Sequence, residues 1–341
     1  MKQLEKTTIQ KKTIDGMLSK FLDEVRDKTY KEIVKWINEN FPNILNKLAI
    51  EAIELKEDYE RALFVRLGYQ SLDKNWEMAI DAMAALELLD GSLLIVDDII
   101  DGSIRRKGKD TIHKAWGVKN AIILSSMLKS TSLLALLFSA KLNSLSSKEF
   151  YTLQQFVEST YNNMYIGEYL DLYYESQPFE EVSIDNYLEV IKRTTGFHFG
   201  MAIKIGGILA QGAEDYLEIL WDIGVRFGML LQIRDDFIDY LDIENITYKP
   251  SFGDFKRNKK RLPLILAYKF FPENINKLKN ILLDDSAKRE IQFLISHPKI
   301  RRETMKIIDS IDSDIDSLIK FIDPSSVRRV LKDFYIIVRD L

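Results

Sequence analysis

The chain has 341 residues, 46% apolar and 29% charged, with 48 Lys and Arg set against 52 Asp and Glu. That is the composition of a globular protein able to bury a large core, and a net charge of −4 supplies no global field for nucleic acid or an anionic membrane. The lack of cysteine excludes disulfides, thiolate metal sites and a cysteine nucleophile, and fits a reducing, cytoplasmic setting.

In chain order, residues 1–30 carry charges throughout and hold no apolar run of signal-peptide kind, so no leader is expected. Asp27 to Phe41 reads as an amphipathic helix. Ala82 to Ile100 reads as a helix apolar on most faces, central to a bundle, that ends on Asp97, Asp98 and Asp101 and is broken by Gly102-Ser103. Arg105-Arg106-Lys107-Gly108 comes directly after the break. Ala121 to Leu142 is the most apolar stretch, but Lys129 and six serines or threonines within it argue for a buried helix and against a transmembrane segment. Tyr161, Tyr165, Tyr169, Tyr173 and Tyr174 form a stripe at helical spacing, read as packing. A second largely apolar helix, Tyr216 to Tyr240, closes on Asp235, Asp236 and Asp239. Pro250 to Gly253 ends the segment after this helix, the basic run Lys256-Arg257-Asn258-Lys259-Lys260-Arg261 comes next, and Glu303 to Leu341 reads as outer helix. Only 15 Gly and 7 Pro, no linker and no repeat predict one all-α domain over 1–341.

The acids carry the chemical signal. Asp97, Asp98 and Asp101 stand at i, i+1 and i+4, and on a helix the first and last point about 40° apart. Three carboxylates so close repel unless a cation binds, and hard cations such as Mg2+ bridge carboxylates to phosphates. Alone, such a motif is better explained by an exposed acidic helix end. Its recurrence 138 residues later as Asp235-Asp236-Phe237-Ile238-Asp239 is not. With both ends at one mouth of a bundle, six carboxylates would share a cavity, and the basic residues after each motif would meet a diphosphate there. Acids so close to these basic runs argue against nucleic acid.

Leu93 to Asp101 with Arg105-Arg106-Lys107-Gly108, Gln232 to Asp239, and Gly253-Asp254 through Lys259 to Leu262-Pro263 together resemble the two aspartate-rich motifs and the basic loop of the trans-isoprenyl diphosphate synthases, over about residues 80–270. The resemblance implies an isoprenoid-synthase bundle of ten or more helices around a central cavity, usually a homodimer. It implies Mg2+, three ions, bound among Asp97, Asp98, Asp101, Asp235 and Asp239 with Asp236 beside them, clamping an allylic prenyl diphosphate as leaving group. It places Arg105 and Lys259 on that diphosphate, Arg106 on the diphosphate of isopentenyl diphosphate, and Lys192, Thr195, Gln232 and Arg61 as further substrate contacts. The implied reaction adds isopentenyl diphosphate to the allylic cation, with departing pyrophosphate as base. Bulky residues just before the first motif close the product tunnel in the family. Ser92 and Leu93 stand there, with Leu88 and Leu89 a turn back, which favours a product of C20 or longer; close packing of small residues explains Ser92 equally well.

The sequence departs from the family where isopentenyl diphosphate is held. Asp58-Tyr59-Glu60-Arg61-Ala62 replaces a Lys/Arg-rich segment, Asp90 replaces a histidine, and Thr194-Thr195 replaces a Lys-Thr pair, with Lys192 and Arg193 adjacent. A carboxylate about 6 Å from a diphosphate charge costs roughly 3 kcal/mol at an effective dielectric near 20. Two further readings therefore stand beside condensation: a class I terpene synthase that ionises a prenyl diphosphate alone, and a non-catalytic prenyl-binding subunit.

Overall fold

The computed structural model describes residues 16–56, 58–241, 252–279 and 285–339. The readings of residues 1–15 and of the break at Pro250 lie outside the described residues. Among those residues the chain is all-α, as expected, and two two-residue strands, Arg105–Arg106 and Lys109–Asp110, form its one small sheet. The chain falls into two compact units, residues 1–157 with 201–221 and 320–334, and residues 158–200 with 222–319 and 335–341.

The first unit is built on the helix Ile80–Ile100, whose Met83, Ala84, Ala85 and Leu88 are fully buried. Burying a Leu or Met side chain contributes about 1.5–3 kcal/mol, and this helix has apolar residues on every side to bury. Helices Gly16–Asn40, Asn43–Glu54, Glu60–Gln70 and Val118–Leu142 surround it. Small residues set the last of these distances: the Ser92 and Ser125 hydroxyls are 3.0 Å apart, and Ser125 also bonds the Ser92 carbonyl. Backbones meet directly at Gly68, where a Cβ would fall 1.9 Å from the Ile203 carbonyl oxygen. Ile80–Ile100 stops because Asp101 caps it and Gly102 turns the chain into the left-handed region at φ 61°.

In the second unit, Ser183 caps the helix Ile184–Ile191 through a reciprocal pair with Asn186, whose N–H donates to Ser183 Oγ while its Oδ1 accepts from the Ser183 N–H. Lys192–Gly196 then forms a single π-helical turn, a geometry that recurs at functional sites. Gly228 lets the helix backbone there approach this turn, since a Cβ would sit 2.5 Å from the Thr195 carbonyl oxygen. The tail read as outer helix is three helices, Pro298–Asp312, Ile315–Lys320 and Ser325–Arg339. The tyrosine stripe divides: Tyr161 is buried, whereas Tyr169 and Tyr173 are 67% and 50% exposed, so the reading of the whole stripe as packing holds for one edge of it. Val118–Leu142 is long and apolar enough to cross a membrane by length and composition, and 44% of its most apolar window is buried.

Candidate active site

The first acidic motif closes the helix Ile80–Ile100, and the hairpin behind it folds back over the acids. Lys107 and Gly108, at φ 49° and 77°, occupy both central positions of its two-residue turn, which demands left-handed backbone at each. The strand before that turn carries Arg106. Its Nη2 donates to Asp98 Oδ1 at 2.9 Å and to Asp97 Oδ2 at 3.3 Å, and its Nε donates to Asp98 Oδ2 at 3.1 Å. Burial opposes the Arg106 charge, but Asp98 and Asp97 outweigh it and raise its pKa. Asp98 is therefore buried and held from behind, while Asp97 is 39% exposed along its side chain. Arg105, on the other face of the strand, is exposed and lies 3.7 Å from Asp110. Lys107 reaches Asp58 at 3.3 Å.

Next to this motif lies an ion cluster whose central member sequence reasoning passed over. Lys56 is buried and its ammonium contacts both Glu87 and Asp90. Arg61 Nε lies 3.3 Å from the other Asp90 oxygen, and the Ala62 N–H donates to Glu87 at 2.6 Å. Burial works against the Lys56 charge, yet Asp90 and Glu87 raise its pKa, so it stays an ammonium. Asp90 is thus neutralised inside the protein by two cations. Lys56 directly precedes an acidic run, which was the available signal. Replacing Lys56 with Met should leave two buried carboxylates facing Arg61 alone and lower stability by about 3–5 kcal/mol. Denaturant unfolding checks this, and an unchanged midpoint would refute the pairing.

The second motif closes the helix Glu214–Leu241 and repeats the same design. Asp236 is buried, and both its oxygens accept hydrogen bonds at 2.7 Å, Oδ2 from the Tyr187 hydroxyl and Oδ1 from Gln232 Nε2. Gln232 is itself oriented by Thr195, whose hydroxyl donates to its Oε1 at 2.7 Å. Burial pushes the Asp236 carboxyl up to about 7, against the pull of Arg261 3.9 Å away. Asp235 beside it is 51% exposed along its side chain, and Asp239 is half-buried. Lys192 is exposed on the π-turn.

The basic loop beyond the second motif is tied down by acids. Arg261 donates through Nε to Asp254 Oδ2 and through Nη1 to Asp171 Oδ1, both at 3.0 Å. Lys259 donates to Asp171 Oδ2 at 3.3 Å, and Asn258 to the Glu175 carbonyl at 2.7 Å. Burial alone would raise the Asp254 carboxyl, but Arg261, Lys259 and Arg257 hold it well below the usual carboxylate range. Tyr187, Asp171, Asp254 and Arg261 were not picked out as site residues from sequence. Arg261 stood in the basic run, and only its contacts distinguish it from its neighbours.

Each motif therefore presents its first and last acids on one helix face, with the second acid turned inward and fixed by the protein. Among the described residues no three carboxylate or imidazole side chains already converge as a finished metal shell. The donor set is oxygen-only, paired at i and i+4, and more exposed at Asp97 and Asp235 than at Asp98 and Asp236. That fits a hard divalent ion whose remaining ligands come from phosphate and water. Of the residues expected to set product length, Ser92 is engaged by Ser125 and Leu89 is buried, while Leu93 is half-buried.

The sequence model of the polyprenyl synthetase family matches residues 42–296, well over half the chain. This chain belongs to the polyprenyl synthetase family. It is 26% identical over 273 residues to a geranylgeranyl diphosphate synthase of Saccharolobus solfataricus, covering 80% of each chain. It is also 26% identical over 240 residues to a geranylfarnesyl diphosphate synthase of Aeropyrum pernix, covering 70% of each. Its fold matches a geranylgeranyl pyrophosphate synthetase from Pyrococcus horikoshii Ot3 with a TM-score of 0.84 at 23% identity, covering 95% of this chain and 98% of that one. A heptaprenyl diphosphate synthase from Staphylococcus aureus gives 0.80 at 23% identity, covering 96% and 99%. At such identities the two structures establish the all-α fold.

Proposed function

We propose that this polyprenyl synthetase family member condenses an allylic prenyl diphosphate with isopentenyl diphosphate, in a magnesium-dependent reaction, to an all-trans product of C20 or longer. The observation that carries the reading is the repeated construction of the two aspartate motifs, the first acid partly exposed and the second buried and fixed, in a chain whose relatives are named as synthases of C20 and C25 diphosphates.

Asp97 and Asp101 on the first motif, and Asp235 and Asp239 on the second, are the acids that would bind metal, with Asp98 serving through Asp97 and Arg106. Magnesium, when bound, supplies charge neutralisation that makes the allylic diphosphate a leaving group. Gln232 and Thr195 keep Asp236 fixed, and Lys192, Lys259 and Arg105 supply cationic contacts to the diphosphate. As the allylic C–O bond breaks, its electron pair leaves with the diphosphate. The isopentenyl double bond then forms the new C–C bond, and the proton it must lose passes to departing pyrophosphate. Arg61 and Arg106 are the contacts proposed for isopentenyl diphosphate, and internal pairing of Asp90 with Lys56 and Arg61 removes much of the repulsion that Asp90 would otherwise impose.

The chain is further proposed to act as one isoprenoid synthase domain, 1–341, in the cytoplasm, and as a homodimer. Val118–Leu142 exposes Ile122, Ile123 and Leu134 at 53%, 55% and 49%, an apolar row that a second copy would cover. An Ile123→Asp, Leu134→Asp variant is expected to halve the mass measured by light scattering; an unchanged mass would remove this helix from the interface.

The test of the activity is a product assay with Mg2+ and C5, C10, C15 or C20 allylic diphosphates, each with and without isopentenyl diphosphate. Longer diphosphates formed only when isopentenyl diphosphate is present are expected. Hydrocarbon and pyrophosphate released without it would make the chain a terpene synthase instead, and inactivity in both arms would make it a prenyl-binding subunit.

A further inference from the structure

In the first unit a cavity of about 540 Å³ opens between the helices Gly16–Asn40, Glu60–Gln70 and Ser325–Arg339. That volume lies within the range of small-molecule sites, about 300–1,000 Å³. None of the aspartate-motif residues lines it. Three cations, Lys20, Arg66 and Arg329, face it together with a single carboxylate, Glu24.

Arg66 is the unusual member. It is only 3% exposed, and its guanidinium carbon lies 3.9 Å from the Phe21 ring centre and 4.1 Å from that of Trp76, which fixes the plane of the fork. Its Nε reaches Gln70 at 3.4 Å. Its Nη1 lies 2.9 Å from Glu24, the one acid that faces the cavity. Burial, only partly opposed by Glu24, lowers the Arg66 pKa. The fourth side of the cavity is Ser326, in the first turn of a 15-residue helix, where backbone N–H groups and the helix dipole favour an anion.

We propose that this cavity is a magnesium-independent binding site for a diphosphate group, held by Arg66 from within, by Lys20 and Arg329 at the rim and by the start of the helix Ser325–Arg339. The excess of cations over acids matches a polyanion, and the volume leaves room beyond a bare oxyanion. Two sources share this chemistry, free pyrophosphate and the head of a prenyl diphosphate, for which Phe21 would supply an apolar wall. The site is separate from the aspartate motifs and its occupancy does not depend on turnover.

The experiment titrates the full chain by calorimetry in EDTA, which withholds the metal from the aspartates, with pyrophosphate in one arm and a C20 prenyl diphosphate in the other. The comparison is a Lys20→Glu, Arg329→Glu variant, both positions being exposed and outside the proposed catalytic set. The expected result is one site per chain in EDTA, weakened roughly tenfold or more in the variant, with prenyltransferase kcat in Mg2+ unchanged. Binding of pyrophosphate as tightly as of the prenyl compound would assign the free anion, and tighter binding of the prenyl compound would assign the lipid head group. Absence of an EDTA-resistant site in both arms, or binding that the variant leaves intact, would overturn the proposal. Because these arms read binding alone, an inactive enzyme would leave their outcome unaffected.

Discussion

Replacing Asp97 and Asp98 together by alanine is expected to lower condensation by roughly a thousandfold or more, the scale seen when preorganised stabilisation of developing charge is removed. Two effects combine. The metal loses Asp97, and Arg106 loses both the carboxylates that hold it at 2.9 and 3.3 Å. Arg106, only 16% exposed along its side chain, is then left without the anions that orient it. The fold should survive, since the changes fall in the last turn of the helix Ile80–Ile100 and remove charges rather than core volume. Steady-state rates with saturating Mg2+ and an unchanged circular dichroism spectrum would establish the effect as chemical. Turnover within about tenfold of the parent would refute the metal role of this motif.

The outline of this fold was legible because the relevant helices are extreme. Ala82 to Ile100 and Tyr216 to Tyr240 are apolar on nearly every side, so their helicity and their acidic ends could be read within two residues of the observed limits, Ile80–Ile100 and Glu214–Leu241. The hairpin at Arg105–Asp110 was not, because two-residue strands offer no alternation to detect. The site was legible as a composition of charges and not as a set of pairings. Arg106 was assigned to substrate, and sequence gives no means of seeing that Asp97 and Asp98 already hold it. Tyr187 lies 49 positions from Asp236, and Lys56 lies 34 from Asp90. Such partners are selected by tertiary packing, which local periodicity does not encode. Ser92 shows the same limit: a small residue reads equally as a gap or as a close contact, and its 3.0 Å approach to the Ser125 hydroxyl is not visible in the sequence.

The other large effect is expected at Arg261. Its guanidinium serves Asp171 and Asp254 through hydrogen bonds and Asp236 at 3.9 Å, with only 12% of its side chain exposed. Arg261→Met would keep most of the volume and take the guanidinium from three acids, leaving Lys259 for Asp171 and Arg257 for Asp254. Breaking a buried pair in this way costs about 3–5 kcal/mol, since the uncompensated charges stay inside. The loss should depend on pH in a fixed sense. With Arg261 present, Asp254 has a depressed pKa, so the stability it contributes is in place above the unfolded value of 3.8 and is lost only as pH falls below it. In the variant, burial is no longer outweighed, and the Asp254 and Asp236 carboxyls shift upward. Protonation then relieves the strain at low pH, so the deficit in melting temperature should be larger at pH 8 than at pH 5. The conservative Arg261→Lys should recover part of the loss but not the two-armed contact to Asp171 and Asp254, because a single ammonium cannot present two planar donors. A deficit equal at both pH values would mean that Arg261 stabilises by packing, and would detach it from the carboxylates that fix the second aspartate motif.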